Sequence, residues 1–326
     1  MHMPMLNVQM PASAESTYST VLQIATFRFP FVDDATDWVK EQIKELIMTE
    51  DENIEISDGT RKLVEVSRST ADAGYMTSNP FVNSAFAIML SSVIAIVFLT
   101  VLLLKCAIQK NKSVNKLYTL IKQKMFWGVV IRYILENFIM LSVAYMIKLY
   151  ALSFETITQA LTSVFTVGVV ILLIAIPLVT THFLFVSLDS EEIFTEKFTQ
   201  RYGMWVLYVD TKRRLALLFN VVFMARRLVI AFLIVVLPNM NWLQRQLIVF
   251  TCVITMLYTG IARPFIGIFH NNLEVVNELL ILWNSYFMLL FSDFILNVNT
   301  RYMVGWANTG VIVALVVVNI ILLSCV

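Results

Sequence analysis

Charged residues are scarce in this chain. Asp, Glu, Lys and Arg make up 14% of its 326 residues, against about 25% in soluble proteins, so the polar surface a water-soluble protein of this length needs is not there. The formal net charge is +1, which gives no electrostatic basis for nucleic-acid binding. There are three cysteines, Cys106, Cys252 and Cys325, and none forms a C-x-x-C, so neither a disulfide framework nor a zinc site is indicated. Cys106, at the end of an apolar run, reads as a buried thiol or a palmitoylation site. His2, His182 and His270 are too scattered to form a metal or haem set. No G-x-G-x-x-G, P-loop, H-E-x-x-H or G-x-S-x-G occurs, so the sequence indicates no catalytic residue, no cofactor and no metal, and the protein is not expected to be an enzyme. Met1–Ser16 has neither the basic start nor the apolar core of a secretory signal. Either the first apolar run directs insertion or a segment precedes Met1.

Long apolar runs are abundant. Phe81–Leu104, Thr156–Leu188 and Tyr302–Val326 contain no Asp, Glu, Lys or Arg, and each exceeds the roughly 20 residues that cross a bilayer core. Four further runs fit the same pattern: Met125–Tyr150, Leu215–Leu237, Gln246–Ala262 and Leu273–Leu296. Leu215–Leu237 also admits a reading as an interfacial helix to Ala225 followed by a hydrophobic hairpin with the next run. Barrel strands of about 10 alternating residues are not seen, so the expected fold is an all-α polytopic membrane bundle of about seven transmembrane helices over 81–326. Its first partner is therefore the lipid bilayer.

Sidedness follows from lysine. Lys105, Lys110, Lys112, Lys116, Lys122 and Lys124 follow the first run with no acid among them, which places that loop in the cytoplasm. Threading seven spans puts the N-terminus outside and the C-terminus inside. Ala151–Glu155, Pro238–Arg245 and Asn297–Arg301 then lie outside, and Asp189–Arg214 and Arg263–Asn272 inside. A plasma or other surface membrane suits this arrangement.

Residues 1–80 read as a small extracytoplasmic α+β piece and linker. Phe27, Phe29 and Phe31 alternate like a strand, Asp37–Met48 has helical apolar spacing, and Ile54–Ile56 with Leu63–Val66 suggests a hairpin around Asp58-Gly59. About 80 residues is marginal for an independent core, so this piece is expected to lean on the bilayer-side loops or on a partner.

Ionisable residues inside spans cost at least about 2.5 kcal/mol each at the bilayer centre and mark sites. Arg132, Glu136, Arg226, Arg227 and Glu278 form an intramembrane charge cluster, in which Arg132 and Glu136, four apart, occupy one helix face and can pair with each other. At about 1.5 Å per residue, Glu136 and Arg226 lie roughly 16 Å from the cytoplasmic end of their runs, Arg132 roughly 10 Å and Glu278 roughly 7 Å. The cluster fits a salt-bridge bolt between helices, and it also fits a track for ions or protons. Glu274 and Glu278 additionally suit the positive start of a helix after Asn271-Asn272. Asp293, with Asn297, is the candidate ion contact at the outer end, and Asp293 equally suits snorkelling to the outer interface. Adjacent Arg213-Arg214 and Arg226-Arg227 lack the every-third-residue spacing of a voltage sensor.

The segments KLYTLIKQKMFWGVVIRYILENFI at Lys116–Ile139, MARRLVIAFLI at Met224–Ile234, ARPF at Ala262–Phe265 and LEVVNELL at Leu273–Leu280, with Pro177 between them, resemble the TRP-like multi-pass module of large protist surface proteins. They are more distantly similar to fungal TRP-like flavin-carrier proteins. The resemblance spans Pro80–Cys325 and implies a cation channel. Such modules usually follow a long extracellular region and precede a cytoplasmic tail, so this chain reads as a reduced relative or a section of a longer product. A TRP-type pore needs a re-entrant filter of about 20 residues, far more than Asn297–Arg301 supplies. Two functions stay open: a membrane anchor or assembly subunit of a surface complex, with protein partners or a homo-oligomer, and a cation channel or small-solute transporter through the bundle.

Overall fold

The computed structural model describes residues 11–25, 30–47, 75, 77–107, 127–237, 240–291 and 297–325. Nine helices organise them: α1 Ala12–Ala25, α2 Pro30–Ile47, α3 Ala85–Ala107, α4 Trp127–Tyr150, α5 Ile157–Asp189, α6 Phe219–Val236, α7 Asn241–Ala262, α8 Ile268–Leu290 and α9 Val298–Cys325. Short helical turns fill the connections. Helices follow from the apolar runs because only intrahelical bonding satisfies the backbone of a segment surrounded by lipid. Their limits follow from capping. Asn79 accepts the Phe81 N–H at 3.0 Å before a turn opened by Pro80, and Thr156 caps α5 through the Gln159 N–H. α7 ends where Arg263 turns left-handed at φ 41°, directly before Pro264, which cannot continue a helix.

Six of these helices, α4 to α9, are long and apolar enough to cross a membrane, and α3 adds a shorter apolar stretch, Ala85–Thr100. The chain is an all-α polytopic membrane bundle. The run Leu215–Leu237 forms one continuous helix, Phe219–Val236, preceded by a separate turn at Arg214–Leu217, with no break at Ala225.

Packing joins both chain neighbours and distant helices. The closest packing is of α7 on α8 and of α4 on α6, followed by α8 on α9, α4 on α5 and α1 on α9. Two apolar clusters result. Ile139, Val143, Ile234, Ile248, Cys252, Leu282, Met288 and Ile312 pack between α4, α6, α7, α8 and α9. Phe138, Leu173, Leu184, Leu217 and Met224 pack between α4, α5 and α6, and Ile193, Phe198 and Trp205 from the α5–α6 connection close that cluster from one end. By contrast α3 packs mainly on α2 and on the turn at 80–83, and Val93, Ile96, Val97, Leu99, Leu102 and Leu103 are exposed along it.

The two connections assigned to one side of the bilayer are joined. Val209 and Phe265 form an antiparallel bridge, Asp210 N–H donates to Pro264 O at 2.8 Å, and Ile266 N–H donates to Tyr208 O at 3.1 Å. Asp189–Arg214 and the link after α7 therefore share one end of the bundle.

The N-terminal piece differs from its sequence reading. No strand occurs among the described residues, and Phe31 lies inside α2, with Pro30 in its first turn. Pro pre-sets the first helical φ, and the apolar spacing through Val39 and Ile43 then carries the helix across Phe31. Phe27, Phe29 and both hairpin segments lie outside the described residues. α1 is not a separate soluble element either. It packs on α9 and buries Ala14 and Tyr18 in the larger apolar cluster.

Candidate functional site

The five charges of the cluster stand on α4, α6 and α8, and the structure divides them into two groups. Arg226 on α6 reaches across to Glu278 on α8, where Nη1 donates to Oε1 at 2.7 Å and Oε2 at 2.8 Å. The pair is buried, with side chains 13% and 9% exposed. Residues of α7 close around it: Thr255 Oγ1 donates to Glu278 Oε2 at 3.2 Å, and Arg226 Nη2 donates to Cys252 Sγ at 3.5 Å. Cys252 Sγ in turn lies 3.4 Å from Ser285 Oγ on α8. A charge in this position is tolerable because each ion faces its counter-ion, and Thr255 and Cys252 supply further hydrogen bonds to the pair.

Arg132 and Glu136 form the second pair on one face of α4. Arg132 Nε donates to Glu136 Oε1 at 2.7 Å, and the side chains are 67% and 57% exposed. Arg227 belongs to neither pair. It donates to the carbonyls of Leu135 and Glu136 on α4, and its guanidinium lies 3.9 Å from the centroid of the Phe223 ring. Adjacent arginines on α6 therefore point to opposite neighbours, Arg226 to α8 and Arg227 to α4. Two consecutive helical residues lie about 100° apart, which is what a helix wedged between two others requires.

The depths read from the sequence shift with the true helix starts. Because α6 begins at Phe219 and α8 at Ile268, Arg226 lies about 10 Å and Glu278 about 15 Å along their helices at about 1.5 Å per residue. Arg226 becomes the shallower of the two and Glu278 the deeper. Asp293 lies outside the described residues. Asn297 is exposed at the start of α9, where its Oδ1 accepts the Asn299 N–H at 3.0 Å.

Sequence reasoning missed the uncharged half of the polar interior. Asn277 and Asn319 exchange amide hydrogen bonds of 3.3 and 3.1 Å between α8 and α9. Farther along that contact Tyr18 of α1 donates to Asn284 Oδ1 and accepts from Asn308 Nδ2 at 3.3 Å. Thr17 and Thr309 lie beside them at 3.3 Å. The signal is a heptad. Asn271, Glu278 and Ser285 stand seven apart on α8, as do Asn277 and Asn284, which draws two adjacent polar stripes on one helix face. All five side chains except Asn277 are buried.

The arrangement can lock helices together, because Arg226, Arg227, Glu278 and the amides of Asn277, Asn284, Asn308 and Asn319 each bond to a neighbouring helix. Among the described residues no group of three or more His, Cys, Asp or Glu is placed to hold a metal ion. Comparison with known proteins leaves the geometry to stand alone: no family model, no curated protein and no solved structure matches this chain.

Proposed function

We propose that this protein is a non-enzymatic membrane anchor or assembly subunit of a surface complex, whose bundle holds partner chains or further copies of itself at the membrane. The observation that carries this reading is the closure of the buried Arg226–Glu278 pair by Thr255 and Cys252. A permeating cation would have to displace Arg226 from Glu278, which leaves a buried guanidinium without its counter-ion. The cluster thus works as a fastener between α6, α7 and α8. The exposed ion pair Arg132–Glu136 on α4 supports an interface as well, since a charged face is costly against hydrocarbon and is relieved by a polar partner.

A second reading is conduction by a TRP-like bundle of cations or small solutes. It is favoured by the polar stripes along α8 and their amide partners on α9, with Asp293 and Asn297 at the outer mouth. Reconstitution of the purified chain in liposomes separates the two. Anchoring expects ion flux no greater than in empty liposomes, together with a stoichiometric partner or a defined homo-oligomer in mild detergent. Flux that is lost in Asp293→Asn would overturn it in favour of conduction.

A further inference from the structure

At the end of the bundle where the α5–α6 connection meets the link between α7 and α8, a cavity of about 160 Å³ opens. Its lining includes Arg213, Arg263, Asp210, Phe265, Ile268 and Asn271. The walls are set by backbone pairing: the Val209–Phe265 bridge and the Asp210 and Ile266 amide bonds fix one connection against the other. Asn271 holds the link itself, accepting the Phe265 N–H at 2.8 Å and donating to Phe265 O at 2.6 Å.

The charge balance of the cavity favours an anion. Asp210 is engaged internally on both oxygens, one accepting the Lys212 N–H at 3.1 Å and the other facing Arg213 Nε at 3.4 Å. Arg213 keeps its remaining guanidinium donors. Arg263 makes no ion pair among the described residues. Its backbone sits in the left-handed region at φ 41°, a conformation costly for a side chain with a Cβ.

Depth identifies the ligand class. Arg263 follows the last residue of α7 and Ile268 is the first of α8, so the cavity lies where two spans leave the bilayer, at the level of lipid headgroups. Around it Leu207, Tyr208, Ile266, Ile268 and Phe269 are exposed. A cationic pocket with an apolar and aromatic rim at that level matches a molecule that is anionic at one end and hydrocarbon at the other. We propose that this cavity binds the phosphate headgroup of an anionic phospholipid, with Arg213 and Arg263 as the cationic contacts and the rim against the acyl chains. The proposal goes beyond the anchoring reading and does not depend on it.

The full chain is placed in nanodiscs of phosphatidylcholine and phosphatidic acid, and the lipid retained after gentle detergent release is counted by native mass spectrometry. Arg213→Gln and Arg263→Gly are each expected to reduce retained phosphatidic acid about fivefold, the worth of one juxtamembrane cation. Glycine accepts the left-handed backbone, so Arg263→Gly keeps its thermal stability. Lys212→Ala removes a neighbouring cation that does not line the cavity and is expected to retain lipid as the parent does. Unchanged retention in both arginine variants, equal retention of phosphatidylcholine, or displacement by millimolar inorganic phosphate would each overturn the assignment, the last by showing a free-anion site.

Discussion

At the scale of single residues, the two ion pairs differ in what surrounds them rather than in length, since both are 2.7 Å. Breaking the buried one leaves an uncompensated charge. Glu278→Gln is therefore expected to destabilise the bundle by about 3–5 kcal/mol, read as a lowered denaturation midpoint in micelles. The double variant Arg226→Met with Glu278→Leu should recover most of that loss, because a well-packed apolar pair can replace an ion pair at little net cost. A Glu278→Gln effect under about 1 kcal/mol would show that the pair is solvated in the membrane. The identity of these five charges was legible in the sequence because charge inside an apolar run is conspicuous. The Arg132–Glu136 pair was legible too, because four residues of separation puts both on one helix face. The partner of Arg226 was not, since four residues of error at the start of α6 and five at the start of α8 inverted the relative depths of Arg226 and Glu278. The amides escaped notice because Asn is common in loops and carries no charge to flag it.

Elements differ in how firmly they are held. α1 depends on Tyr18, whose hydroxyl bridges Asn284 on α8 and Asn308 on α9. Tyr18→Phe removes that hydroxyl and leaves two buried amides short of a partner, at a cost of about 1–3 kcal/mol. Hydrogen exchange should show the α1 amides losing protection while those of α7 and α8 keep theirs. Equal loss across all helices would mean that α1 is part of the global core. No sequence signal placed α1 in the bundle, because its residues include Glu15, Ser16 and Thr17 and read as soluble. Its burial comes from partners almost 270 to 290 residues away in the chain, and such separation leaves no local trace. The spans were legible for the opposite reason, since hydrophobic length is a local property that the bilayer reads directly.

For the whole molecule, topology is the testable quantity. The connection containing Lys212 and the start of α9 at Thr300 lie at opposite ends of the bundle, because α8 runs from the first to the second. Single cysteines at Lys212 and Thr300, both exposed, introduced with the three native cysteines replaced by serine, should react with an impermeant maleimide from opposite sides of sealed vesicles. The lysine-rich loop after α3 predicts that Thr300→Cys is the one labelled on intact cells. Labelling of both from one side would remove the six-span arrangement of α4 to α9.

The bridge between Val209 and Phe265 and the pair Arg226–Glu278 act on the same three rods at different heights. A rod pinned at one point still swivels; pinned at two, it neither slides nor twists. α6, α7 and α8 are thereby coupled into a stiff slab, whereas α9 meets that slab through amides and apolar side chains along α8. A swing of α9, carrying α1 with it, about the flank of α8 is the motion this coupling leaves open next to the slab, and the joint to watch is the Asn277–Asn319 exchange.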